Sequence, residues 1–321
     1  MSFNPQSLAG LIPEFDCAPC HPAAALQPYC RHYRLDRLQP LGEHRLGLLD
    51  CHGSRLCVQL FSPLQPAIGC ALVVHGYMEH TGLYQPLIAA LLGHRFRVLC
   101  YDLPGHGLSE GPRYWIDDFS RYGCQLGELI QRLQERLSGP GYLIGFSTGA
   151  AVVIMQQLLL GDTGRWPLAR RILLAPLIRP AQWRSIRTKY HCLKYLLRTV
   201  ARFYSVNSHD ARYLHFVREQ DPLQHNRIPV DWIAAMLAWE RRVELAGPLP
   251  GEVLVVQGLE DGTVDWPHNL AVLSRLYPAC RVALIEGARH QLINESPPYQ
   301  QRLFKILQGA MRPEHNALAL H

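Results

Sequence analysis

Apolar residues along this chain fall in short blocks separated by stretches of helical period. The blocks at 70–74, 97–101, 142–144, 171–174, 252–257 and 281–285 are the length of buried strands. Apolar positions at helical spacing occupy 86–93, 118–137, 148–160, 267–276 and 298–307. Ahead of them, alternation over 44–61 predicts a hairpin turning near His52-Gly53-Ser54. Strand alternating with helix predicts the α/β class: a mostly parallel twisted sheet with crossover helices on both faces. The rhythm stops over 178–250, where helical patterns continue without a convincing strand, and then resumes. The expected organisation is an N-terminal arm (1–40), an α/β core (41–177 and 248–321) and an inserted helical cap (178–247). The arm is proline-rich and aperiodic, so it is expected to lie extended on the surface. The last dozen residues look frayed.

One strand-to-helix junction carries candidate chemistry. Gly145-Phe146-Ser147-Thr148-Gly149 is a G-x-S-x-G pattern between the block at 142–144 and the helix at 148–160. A serine there sits on a sharp turn, and flanking glycines remove the Cβ atoms that would clash. Taken alone the pentapeptide is weak, because a glycine-rich turn between strand and helix gives the same letters. A serine hydroxyl also needs a histidine base, and the histidine needs a carboxylate to orient it. In this arrangement the chain order is serine, acid, histidine. The strand at 252–257 runs into Gly258-Leu259-Glu260-Asp261-Gly262, and the strand at 281–285 into Glu286-Gly287-Ala288-Arg289-His290. Asp261 and His290 therefore fall in loops at the same sheet edge as Ser147. Glu260 and Asp265 compete for the acid role, but Asp265 is better placed to cap the helix beginning near Pro267. An oxyanion hole needs two backbone N–H groups, expected from Thr148 and Tyr77, the latter after the strand ending at Val74. Gly76, Phe146, Tyr190 and Leu197 are the expected substrate contacts.

Composition changes this picture little. The chain has 321 residues, a formal charge of +6 and no block of basic residues, so nucleic acid is not an expected partner. The N-terminus lacks a secretory pattern and no uninterrupted apolar run reaches membrane-spanning length, which predicts a soluble, cytoplasmic protein. Several of the ten cysteines fall inside strand blocks, as small core residues do. Cys17-Ala18-Pro19-Cys20 has no second ligand cluster to complete a metal or redox site. His75, His80 and His106 match no zinc spacing and are expected to hydrogen-bond within loops. No metal is expected.

Five stretches together resemble one family: HGYMEHTGLY from His75, YDLPGHGLSEG from Tyr101, GFSTG around Ser147, GLEDGTVD from Gly258 and EGARH from Glu286. They are similar to the monoacylglycerol lipase and lysophospholipase group of α/β-hydrolases, a sequence family also labelled serine aminopeptidase-like. The resemblance covers about residues 45–310. It implies a serine hydrolase with a Ser147–Asp261–His290 triad, oxyanion N–H groups from Tyr77 and Thr148, a helical cap, and no cofactor. It also implies a single-chain lipid ester as substrate, with a small-ester or aminopeptidase-type hydrolase as the alternative. The elbow departs from the group's pattern, with Phe146 and Thr148 where His and Met are common. A binding protein that has lost turnover would lack a triad member, and none is lost here.

The cap bears on substrate. From 163 to 209 there are many Lys and Arg and no Asp or Glu. A helix over 184–204 would gather Arg184, Arg187, His191, Lys194, Arg198 and Arg202 within about 80° of arc. Aliphatic and aromatic residues would fill the other side. The pattern fits either a cap helix packed on the core with its charges solvated, or a helix lying on a membrane or lipid aggregate.

Overall fold

The computed structural model describes residues 3–8, 10–137, 139–162 and 166–311. The frayed end expected at the C-terminus falls almost entirely outside them. Eight strands form one sheet in the order β1 (Gly42–Cys51), β2 (Ser54–Pro63), β4 (Phe96–Tyr101), β3 (Gly69–Val74), β5 (Gly141–Phe146), β6 (Leu168–Leu174), β9 (Val253–Gly258) and β10 (Arg281–Ile285). The hairpin of β1 and β2 joins antiparallel to β4. All pairings from β4 to β10 are parallel.

Both faces of the inner parallel strands are covered, which explains why β3, β5 and β9 read as almost continuous apolar blocks, whereas β10 at the edge is largely exposed. Successive side chains point to opposite faces. In β3, Cys70, Leu72 and Val74 join one core while Ala71 and Val73 join the other. The first core packs α3 (Phe119–Leu133), α4 (Thr148–Leu160) and α8 (Trp266–Leu276) on the sheet. The second holds α2 (Gln85–Gly93), α9 (Pro297–Ala310) and the N-terminal segment. Asp118 starts α3 by accepting a hydrogen bond from the Ser120 N–H at 2.6 Å. Helix α4 is apolar all round because almost all of it is buried between sheet, α3 and loops.

The chain leaves β3 toward β4 on one side and returns to β5 on the other. Between the carboxyl ends of β3 and β5 the strand order reverses, and open α/β sheets bind ligands in the crevice made there.

Two expectations need correction. The N-terminal arm is not an extended strip. It folds into short 3₁₀ turns and a one-and-a-half-turn helix, α1 (Gln27–His32), and buries Phe15, Leu26, Tyr29 and Tyr33. Its aromatic residues have apolar surface to bury, and β1 with α2 supplies the face. Its Tyr33 hydroxyl donates to Asp221 Oδ1 at 2.6 Å, and His80 Nε2 meets Asp221 Oδ2 at 3.0 Å, all three buried. Burial works against both charges, yet the pairing wins: Asp221 is lowered to about 2 and His80 is raised. Tyr33→Phe removes one donor from a buried carboxylate and is expected to cost about 1–3 kcal/mol. Urea unfolding checks this as a lower midpoint at unchanged slope.

The inserted segment also differs from the helical pattern predicted for it. Helix α5 (Trp183–Leu193) stops eleven residues short of the expected end at 204. The chain then turns into β7 (Thr199–Ala201), which pairs antiparallel with β8 (Arg227–Pro229). The β-branched pair Thr199-Val200 and the Ile228-Pro229 end are too short to show a period of two, so the hairpin was invisible in the pattern. The basic stripe therefore breaks: Arg184, Arg187 and His191 lie on α5, while Arg198 and Arg202 flank a strand. Helices α6 (Ala211–His215) and α7 (Val230–Leu245) complete the insertion.

Candidate active site

Ser147 occupies a backbone conformation that side chains rarely adopt, φ 52° and ψ −113°, between the end of β5 and the start of α4. Holding it there costs about 1–3 kcal/mol, and the surroundings enforce it. A Cβ on Gly145 would overlap the backbone of Gly149 and Ala150, and one on Gly149 would overlap the carbonyl of Val74. The two glycines thus let α4 close onto β3 and β5. The Ser147 N–H is held by the Leu174 carbonyl at 2.8 Å. Its hydroxyl is left pointing past the sheet edge, at the N-terminus of α4.

The loops after β9 and β10 bring the other two groups to it. His290 Nε2 lies 3.1 Å from Ser147 Oγ, and His290 Nδ1 lies 2.7 Å from Asp261 Oδ2. A carboxylate can only accept, so Nδ1 carries the proton and Nε2 is left to accept from the serine. Asp261 is fixed in turn. Its Oδ1 accepts the N–H groups of Thr263 at 2.8 Å and Val264 at 3.2 Å, and its Oδ2 accepts Gln257 Nε2 at 3.0 Å. Burial acts to raise its pKa, but its interaction with His290 and these hydrogen bonds outweigh burial and hold it below the usual carboxylate value. The rival acids do other things: Asp265 caps α8 through the His268 N–H and pairs with Arg179 at 2.7 Å, and Glu260 lies near His209.

The loop after β3 faces Ser147 across the crevice. Its Gly76 N–H is already engaged, by Glu79 Oε2 at 3.0 Å and the Tyr84 hydroxyl oxygen at 3.1 Å. That leaves the Tyr77 N–H as the next amide along the loop, while Thr148 opens α4, where first-turn N–H groups have no intrahelical acceptor. The Tyr77 ring stacks on Trp232 of α7, centroids 3.7 Å apart, so this loop is braced by the inserted segment. Glu79 Oε1 accepts Gln291 Nε2 at 2.6 Å, tying the same loop to the residue after His290. No sequence signal marks Glu79, Gln291 or Trp232 as partners, because they meet only across loops distant in sequence.

Of the three loop histidines, His80 pairs with Asp221 of the inserted segment, while His75 and His106 bond within the loops after β3 and β4. His75 Nδ1 lies 2.7 Å from the Gly76 carbonyl and its Nε2 accepts the Leu103 N–H at 2.9 Å; His106 Nδ1 lies 2.9 Å from the Pro104 carbonyl. Burial keeps His75 and His106 below the usual histidine pKa.

A cavity of about 470 Å³ opens over Ser147 and His290, within the range of small-molecule sites. Its floor includes Gly76, Tyr77, Phe146 and Thr148, and its far wall is the inserted segment, with Ile186, Val200 and Met236 among the apolar contacts. Gly76 and Phe146 are among its lining residues, and Tyr190 and Leu197 are not. Tyr190 lies within α5 with its ring 5.6 Å from Lys194, and Leu197 lies past the end of α5 and is exposed.

A buried serine, histidine and carboxylate in one hydrogen-bonded row can pass a proton from the hydroxyl to the imidazole while oxygen attacks a carbonyl carbon. The apolar cavity would exclude water from that step.

Comparison with known proteins bears on this geometry. A family model described as serine aminopeptidase, S33, matches residues 65–297. The monoglyceride lipase of Rattus norvegicus is 28% identical over 280 residues, covering 84% of each chain. The human monoglyceride lipase is 31% identical over 109 residues, a match that spans 34% of this chain and only 36% of that protein. Among solved structures, a soluble variant of the monoglyceride lipase of Saccharomyces cerevisiae superposes with a TM-score of 0.71 at 16% identity, over 84% of this chain and 95% of that one. At that identity the superposition speaks for the fold.

Proposed function

The chain belongs to the family described as serine aminopeptidase, S33, and from that premise we propose that it hydrolyses the carboxylic ester of a single-chain lipid, of the monoacylglycerol or lysophospholipid type. The observation that carries this reading is the Ser147–His290–Asp261 row opening into an apolar cavity. Ser147 Oγ attacks the ester carbonyl as His290 Nε2 takes its proton. Asp261 holds the imidazole in the required tautomer and stabilises its charged form. The N–H groups of Tyr77 and Thr148 receive the tetrahedral oxyanion. Collapse breaks the bond to the alcohol oxygen, which leaves with the proton from His290. A water molecule then attacks the acyl-enzyme by the reverse proton path and releases the fatty acid.

The family description names a peptidase, but the cavity is poorly suited to a free amine. Glu79 is the single carboxylate on its described wall, and both Glu79 oxygens are already hydrogen-bonded. Glu219, Asp221, Asp231, Glu240 and Glu244, the acids of the inserted segment, are not among the lining residues. The outer surface of that segment supports contact with a lipid surface: Tyr195 and Leu196 are 88 and 77% exposed beside Lys194 and Arg198. Among the described residues no helix is long and apolar enough to cross a membrane.

A substrate panel tests the reading. Monoacylglycerol, lysophospholipid, short nitrophenyl ester and aminoacyl amide are compared with and without anionic vesicles. Lipid esters are expected to show at least about tenfold higher kcat/KM than the amide, a transition-state difference of about 1.4 kcal/mol or more. Faster turnover of the amide overturns the lipid reading.

A further inference from the structure

Two guanidinium groups share one wall of the cavity. Arg202 and Arg218 both line it, and they lie 4.4 and 5.8 Å from the centroid of the same ring, that of Tyr204. Apart from His290 they are the cationic side chains of the described lining. Their counter-charges are weak. Among the described residues no carboxylate lies within ion-pair distance of Arg202; its Nη1 donates to the neutral amide oxygen of Gln224. Arg218 pairs at 3.1 Å with Glu219, but both side chains are mostly solvent-exposed, where such a pair holds its partner loosely. Glu79, the lining carboxylate, is turned to Gly76, Tyr84 and Gln291.

Arg202 is also held in place. It follows β7 directly, and its N–H donates to the Asn226 carbonyl at 2.9 Å. Gln224, which receives its guanidinium, donates to Asp221 Oδ2 at 2.8 Å, and Asp221 is anchored on Tyr33 and His80. The guanidinium is half-buried, and its charge reaches the interior. Burial pushes the Tyr114 hydroxyl up to about 12, and the Arg202 charge opposes that rise. A fixed, partly desolvated fork with one of five donors on Gln224 keeps N–H groups for a ligand oxygen pair.

Building on the ester-hydrolase reading above, we propose that Arg202, with Arg218 beside it across Tyr204, forms an anion-accepting site that selects single-chain lipid esters carrying a phosphate in the head group over neutral monoacylglycerols. A guanidinium fork matches two oxygens of a phosphate, and hydrogen bonds between charged groups are about twice as strong as neutral ones. The cavity that holds Ser147 also holds this pair, so one ligand can reach both. The phosphate then fixes which end of the lipid faces out, and the apolar residues Ile186, Val200 and Met236 remain for its acyl chain.

The test uses the full chain and short-acyl substrates kept below their aggregation limit, so that no lipid surface is present. Octanoylglycerol and octanoylglycerol phosphate are compared by kcat/KM. The wild type is expected to favour the phosphate ester by about tenfold or more, the effect of one charge-assisted hydrogen-bond pair. In Arg202→Gln the phosphate-to-neutral ratio is expected to fall by about the same factor, through KM, and Arg202→Lys is expected to restore part of it. Arg212→Gln, an exposed arginine away from the cavity wall, is the control and should leave the ratio alone. Three results overturn the proposal: no preference in the wild type; an equal fall on both substrates in Arg202→Gln, which would make Arg202 a brace for the inserted segment; or a preference seen with vesicles but not with monomeric substrate, which would place the anion contact on a membrane. If the chain turns over no ester in the panel, the ester-hydrolase reading itself fails. Turnover of nitrophenyl ester and octanoylglycerol with a ratio near one sinks the phosphate site alone.

Discussion

Replacing Ser147 with alanine is expected to lower ester hydrolysis by about 10⁴-fold or more, since groups that act as a unit lose nearly the whole of their combined effect when one is removed. The substitution deletes only the oxygen 3.1 Å from His290 Nε2. The Tyr77 and Thr148 N–H groups and the cavity would remain, so a residual rate above that of water is expected. A fluorophosphonate probe should label the wild type at Ser147 and fail to label the variant. Retained activity or labelling in Ser147→Ala would place the nucleophile elsewhere. The same position tests stored strain. Alanine keeps the φ of 52° that is unfavourable for any side chain, whereas glycine tolerates it. Ser147→Gly is therefore expected to unfold at higher denaturant than Ser147→Ala, by about 1 kcal/mol.

Asp261→Asn is expected to lower kcat by about 10⁴-fold with the fold intact. The amide can still accept the Thr263 and Val264 N–H groups through its oxygen. Its NH₂ then faces His290 Nδ1 and forces the proton onto Nε2, so the imidazole can no longer accept from Ser147. The pH dependence has a definite sign. The folded-state pKa of Asp261 is depressed below 3.8, so its contribution to stability is present above that value and lost as pH falls through the folded value. Wild type and Asp261→Asn should therefore differ in thermal midpoint at pH 7 and converge below pH of about 3.8, the ordinary value for the group. Between pH 5 and 9 the wild-type rate should show no limb from this carboxylate. A variant that retains a tenth or more of wild-type kcat would remove Asp261 from the relay.

Much of the core was legible because its signals are local. Burial on both faces makes β3, β5 and β9 almost continuous apolar blocks, and α3 and α8 show a helical period. Ser147, Asp261 and His290 were findable for a related reason. Each sits just past the end of a strand, and parallel strands in one sheet deliver their ends to one edge. The inserted segment lacked that regularity. Its strands are three residues long, and its longest expected helix stops at Leu193, which leaves Leu197 outside it. The N-terminal segment misled for another reason: short turns rich in Pro and Ala carry no period, although Tyr29 and Tyr33 are fully packed.

Sequence alone therefore determined the α/β core, the edge at which Ser147, Asp261 and His290 meet and their order along the chain, since these follow from alternation, turn chemistry and strand ends. Tertiary structure alone decided what surrounds them. Tyr33 reaches Asp221 across 188 residues, Gln291 reaches Glu79 across 212, and Arg202 and Arg218 come to one tyrosine ring on the cavity wall. Such contacts have no local signature: each depends on where two separately packed segments come to rest, and only the burial of both cores fixes that.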